Sequence, residues 1–127
     1  MRAWALGLMV VGVLWGQEGH PLVGSWHGSY GPSAQQQTDA TFILKFDGKS
    51  ITGMINPGLN VMKLQTATLD PSTWTVHLEA DTKDAGGKTV HVVVEGKIQN
   101  ITNPRRTIVG TWTQGGAKLP LTMRRDD

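Results

Sequence analysis

From Val23 onward, apolar and polar residues alternate with period two in short runs, and glycine, proline, asparagine or aspartate separates one run from the next. That is the signature of half-buried β-strands joined by turns. Eight strands are predicted, over 23 to 30, 39 to 46, 49 to 55, 60 to 69, 73 to 81, 88 to 98, 106 to 114 and 117 to 124. The links are short, as at Asp47-Gly48, Asp70-Pro71-Ser72, Asn103-Pro104-Arg105 and Gly115-Gly116, so strands adjacent in sequence pair as antiparallel hairpins. Gly31 to Thr38, with Pro32 and three glutamines, is the long polar exception and reads as a mobile loop at one mouth. No helical stripe, repeat or linker interrupts the pattern.

The expected fold class is therefore all-β, an eight-stranded antiparallel up-and-down barrel in which the first and last strands meet. One parity holds Trp26, Gly28, Tyr30; Phe42, Leu44, Phe46; Ile51, Gly53, Ile55; Trp74, Val76, Leu78; Val90, Val92, Val94; and Ile108, Gly110, Trp112, and is placed inside. The other parity, with His27, Lys45, His77, Glu79, His91, Glu95, Lys97 and several threonines, suits a solvated outer wall; Val93 and Val109 depart from it. Gly53, Gly96 and Gly110 fall within strands, where a missing side chain allows sharp coiling or leaves room for the tryptophans.

Residues 1 to 16 stand outside this pattern. Arg2 precedes an uncharged apolar run from Ala3 to Trp15, and polar Gln17 to His20 follow, which predicts a signal peptide and a secreted or periplasmic product. The run is too short for a membrane span of about 20 residues. The remainder is the length of one domain, assigned to 21 to 125. It contains no cysteine, so packing and hydrogen bonds alone must hold it. The chain has 12 lysines and arginines against 10 acids, and without Arg2 the net charge is about +1. Such a balance, with basic residues only in short pairs, argues against a nucleic-acid partner.

Gly24-Ser25-Trp26 in the first strand, together with DGKSITGMI (Asp47 to Ile55), GKI (Gly96 to Ile98) and the ending GTWTQGGAKLPLTMRR, resembles the calycin group of barrels, which includes lipocalins and avidins. More narrowly, it is similar to an exported bacterial lipocalin-like module that occurs alone or fused to α/β-hydrolase and peptidase domains. The resemblance implies that a terminal basic residue packs across the first-strand tryptophan, making Gly24, Trp26 and either Arg124 or Arg125 the barrel closure. It carries over architecture and export but no assigned chemistry. An avidin-type biotin set does not map onto this sequence, and no G-x-S-x-G elbow occurs.

Two readings of the aromatic residues stay open. Trp26, Tyr30, Phe42, Phe46, Trp74 and Trp112 could wall a pocket for a small apolar or planar ligand, or could simply fill a narrow barrel. His77 and Glu79 on the fifth strand and His91 and Glu95 on the sixth could gather as acid/base or metal-ligating groups, but they lie on the outer wall, where such residues are ordinarily just solvated. No metal or other cofactor is expected. Asn100-Ile101-Thr102 is a glycosylation sequon. The functional expectation is a secreted non-enzymatic barrel that binds a small apolar ligand or serves as an accessory module to an exported protein such as a hydrolase. The alternative is a small isomerase- or cyclase-type enzyme working in the lumen.

Overall fold

The computed structural model describes residues 20–58 and 61–126. The expected leader lies outside them. Eight strands follow one another: β1 (Gly24–Ser33), β2 (Gln36–Phe46), β3 (Ile51–Ile55), β4 (Met62–Asp70), β5 (Thr75–Lys83), β6 (Thr89–Gln99), β7 (Thr107–Gln114) and β8 (Ala117–Asp126). Each pairs antiparallel with its neighbours in sequence, and β1 pairs with β8 from Ser25↔Asp126 to Tyr30↔Leu121, closing the barrel. The up-and-down barrel read from the alternation is the observed fold. No helix among the described residues is long and apolar enough to cross a membrane.

The meander gives the barrel two unlike poles. The β1–β2, β3–β4, β5–β6 and β7–β8 hairpins surround an open mouth, while the remaining turns and the segment before β1 gather at the opposite, closed pole. Inward-facing Trp26, Phe42, Leu44, Ile55, Val76, Leu78, Val92, Val94, Ile108, Trp112, Leu121 and Met123 are shielded from solvent and form one contiguous core. The driving force is their removal from water, amounting to about 1.5–3 kcal/mol for each fully buried large aliphatic side chain. Gly96 and Gly110 oppose each other across β6 and β7, and a Cβ on Gly110 would overlap the carbonyl oxygen of Glu95. Backbone proximity, rather than room for a tryptophan, explains the glycine there.

Three details depart from expectation. Gly31 to Thr38 is not a loop: β1 continues to Ser33 and β2 begins at Gln36, with the turn confined to Ala34 and Gln35. Side chains hold this polar hairpin, Ser29 Oγ donating to Gln37 Oε1 (2.7 Å) and Gln37 Nε2 to the Ser33 carbonyl (2.7 Å). Pro32, which has no N–H to contribute, falls where the register shifts between Tyr30 and Ser33. Trp74 is not in β5 but in the preceding turn, with φ at +58° and its ring partly buried against the core. Its carbonyl accepts the Ile98 N–H at 2.9 Å, tying the turn to β6. Phe46 ends β2 half-buried, outside the main core.

Candidate functional site

The six aromatic residues proposed as one wall are divided between the poles. Tyr30 and Trp112 belong to the mouth, Trp26 and Trp74 to the closed pole, Phe42 to the core beside Trp26, and Phe46 to the closed-pole end of β2. At the mouth the two rings lie flat on each other, with centroids 4.1 Å apart and planes 5° from parallel. Trp112 is wholly buried and Tyr30 partly exposed, so Tyr30 shields the indole from solvent. The Trp112 indole N–H donates to Gln114 Oε1 at 2.9 Å, meeting the need of a buried N–H for a partner. Burial raises the Tyr30 hydroxyl pKa, opposed by a hydrogen bond with Thr38.

Above this pair opens a cavity of about 340 Å³ with a polar rim that includes Asn56, Thr82, Lys83, Asp84 and Gln114. The rim is held by its own hydrogen bonds. Lys83 Nζ donates to Thr89 Oγ1 (2.9 Å), and Asp84 Oδ1 accepts the backbone N–H groups of Gly86 and Lys88 (both 2.9 Å). Asn56, with φ at +53°, accepts the Thr41 N–H on its side-chain oxygen (2.9 Å) and fixes the end of β3 to β2. An aromatic floor under a polar rim can stack a flat molecule and orient its polar edge.

Residues 20–23, just before β1, seal the closed pole. Leu22 is completely buried, and its carbonyl accepts the Trp26 indole N–H at 3.0 Å. Arg125 is the rung partner of Trp26 and shares the inward parity of Leu121 and Met123, whereas Arg124 pairs with His27 and is exposed. The Arg125 side chain crosses Gly24, where a Cβ would lie 2.6 Å from its Nε, and its Nη1 donates to the Pro104 carbonyl at 3.2 Å. A third arginine, Arg106, which in the sequence reads only as half of a short basic pair, also ties this pole: its Nε donates to the Ile101 carbonyl (2.9 Å) and its Nη1 to the Pro21 carbonyl (3.3 Å). Its signal was its place at the opening of the seventh strand, directly below the barrel's end.

On the outer wall, β5 and β6 bring the acid/base candidates into a continuous chain. His77 Nε2 meets Glu79 Oε2 at 2.6 Å, and its Nδ1 meets Glu95 Oε2 at 3.2 Å. His91 Nε2 meets the other oxygen of Glu79 at 2.8 Å, and its Nδ1 meets Asp81 Oδ1 at 2.6 Å. Gln65 of β4 extends the chain to Asp81 Oδ2 at 2.7 Å; neither Gln65 nor Asp81 had been singled out. A ring facing carboxylates through both nitrogens is best satisfied as the imidazolium. Accordingly the His77 pKa is raised chiefly by Glu79, and the His91 pKa chiefly by Asp81 and then Glu79. Glu79 is lowered by His77 and His91, and Asp81 by His91 and Gln65.

These nitrogens face carboxylate oxygens rather than a common vacancy. Among the described residues no group of three or more His, Asp or Glu side chains could hold a metal ion. No family model matches the chain, and neither the curated proteins nor the solved structures contain a significant match to it.

Proposed function

We propose that the chain is an exported, non-enzymatic, calycin-like barrel that binds a small apolar or planar molecule at its open mouth. The supporting observation is the flat Tyr30–Trp112 pair beneath a polar-rimmed cavity of about 340 Å³, a volume within the usual range for small-ligand sites. Tyr30 would stack on such a ligand or swing aside for it, and Gln114 and Asn56 would orient its polar edge. Trp26, Phe42 and Trp74 then serve packing and closure rather than contact with ligand. The isomerase or cyclase alternative is weaker, because the charged rim groups Lys83 and Asp84 are engaged within the β5–β6 hairpin and the histidine chain lies outside the barrel.

The test is a screen of aromatic metabolites and short lipids against the purified domain, read by tryptophan emission and melting temperature. A ligand of the mouth changes emission and raises the melting temperature by mass action, and Tyr30→Ala weakens both responses. A panel that leaves the emission and melting temperature of the wild type unchanged rejects the reading.

The accessory-module reading has its own observation. Ile43, Met54 and Val61 form an apolar patch on the outside of β2 to β4, between Lys45 and Lys63, and Met54 and Val61 are 36% and 49% exposed. In this reading the patch contacts an exported hydrolase. Co-purification lost in Met54→Lys supports it, and a domain that stays monodisperse beside such a hydrolase counts against it.

A further inference from the structure

The wall of the barrel is incomplete at one seam. β3 and β4 pair only at Met54↔Lys63 and Ile55↔Met62, near the mouth, whereas each of the seven other seams carries at least five paired positions. Toward the closed pole the two strands run without a ladder between them, and a register shift at Leu64/Thr66 on the β5 side of β4 accompanies the break. The inward side chains record the consequence. Val76, Leu78 and Ala80 of β5 are wholly shielded, but Ile51 of β3 and Leu64, Ala67 and Leu69 of β4, which share the inward parity, remain partly exposed.

The gap is a cleft of about 340 Å³ floored by Phe46, Ile51, Ala67 and Leu69. Among the described residues, its rim carries His20, Lys49, Ser50 and Thr68. The His20 ring packs against Phe46 with centroids 4.7 Å apart and planes tilted by 33°, and burial lowers its pKa, which favours the uncharged ring. Asp47 directs its Oδ1 to the backbone N–H groups of Lys49 (2.9 Å) and Ser50 (2.7 Å), and its Oδ2 accepts from the Ser50 hydroxyl at 3.4 Å. Lys49 is the cation of that rim among the described residues, above an apolar floor.

We propose that this seam is a second binding site, separate from the mouth, for a small amphipathic monocarboxylate. Its apolar body lies against Phe46, Ile51, Ala67 and Leu69, covering core-facing surface that no strand covers. Its carboxylate meets the Lys49 ammonium and the Thr68 hydroxyl. A cationic amphiphile of equal length is disfavoured at the same rim by repulsion from Lys49. The proposal stands on the break in pairing and the cleft's lining, independently of what the mouth binds.

Octanoate, octanol and octylamine titrated into the isotopically labelled domain test it. Octanoate should shift the amide resonances of Ser50, Ile51, Thr68 and Leu69 and the His20 ring saturably, while octylamine binds more weakly. Lys49→Gln should weaken octanoate roughly three- to fivefold, as expected for an exposed ion pair, and leave octanol unchanged. Ala67→Phe fills the floor and should abolish binding; should that variant fail to fold, the exposed Lys49→Gln variant decides. Tyr30→Ala, at the other pole, should leave the octanoate response intact. Shifts centred on Tyr30 and Trp112, equal binding of octylamine, unchanged octanoate affinity in Lys49→Gln, or no saturable response would each overturn the proposal.

Discussion

Trp26 and Arg125 are rung partners on the seam that joins the first strand to the last, and both face the interior at the closed pole. The indole is wholly buried and the arginine stem lies across Gly24. The two neighbouring arginines therefore have different structural weight. Arg125→Ala should cost about 1–2 kcal/mol of unfolding free energy, through lost stem packing and the lost bond to Pro104. Arg124→Ala, at an exposed position, should stay within about 0.5 kcal/mol of wild type. Urea unfolding of both variants measures the difference, and equal losses would remove the distinction.

The stacked pair at the mouth predicts energetic coupling. Tyr30→Ala and Trp112→Ala, singly and together, form a double-mutant cycle whose interaction term should be about 0.5–1.5 kcal/mol. Trp112→Ala alone should cost about 3–5 kcal/mol, because the indole is fully buried. A coupling near zero would mean that the rings merely lie side by side.

The histidine chain makes stability depend on pH, and its direction follows from the shifts. His77 and His91 are raised above 6.5 in the folded protein, so their contribution is fully present below pH 6.5 and lost as pH rises through the raised values. Glu79 and Asp81 are lowered from 4.5 and 3.8, so theirs is present above those values and lost as pH falls through the folded ones. The chain as a whole should support the fold best between about pH 4.5 and 6.5. His20, lowered by burial, acts oppositely and weakens the fold as pH drops through 6.5. Comparing wild type with His77→Gln/His91→Gln isolates the chain: the double variant should lose less stability than wild type between pH 6.5 and 8.5. Parallel curves would show that the carboxylates gain nothing from the imidazoles.

Gly110→Ala tests the close approach of β6 and β7. A Cβ there would overlap backbone of Glu95, which only a shift of the strand can relieve. The loss should reach at least about 2–3 kcal/mol. Gly87→Asn is a control at a turn where a Cβ meets nothing within 4 Å, and asparagine tolerates its φ of +81°. Thermal melts of the two variants rank them, and a Gly110 variant as stable as the control would mean that β6 and β7 can part at no cost.

Strand number, order and inward parity were legible because a period of two leaves one face apolar, and here that face carries Trp26, Phe42, Val76, Val92 and Trp112 in strand after strand. Trp74 misled because a bulky aromatic beside a strand reads as part of it, and nothing local announces a left-handed backbone at a tryptophan. The β1–β2 hairpin misled because its polar residues looked like a loop, while side-chain bonds such as Ser29 to Gln37 supply the order that burial does not. The Tyr30–Trp112 contact and the break between β3 and β4 are set by barrel geometry, which alternation along one strand does not encode. The histidine chain was half legible: the residues stood out, but their partners followed from a register that pairs His77 with Glu95 and Asp81 with His91.

Because Ser25 and Asp126 share a rung, the described chain enters and leaves the barrel side by side at the pole opposite the aromatic mouth. A tether attached at either end would therefore hold the domain from behind and leave the cup facing outward. Splicing those ends with a short linker and reopening the chain at Gly115-Gly116 should yield a circular permutant with most rungs retained and a rearranged order of synthesis.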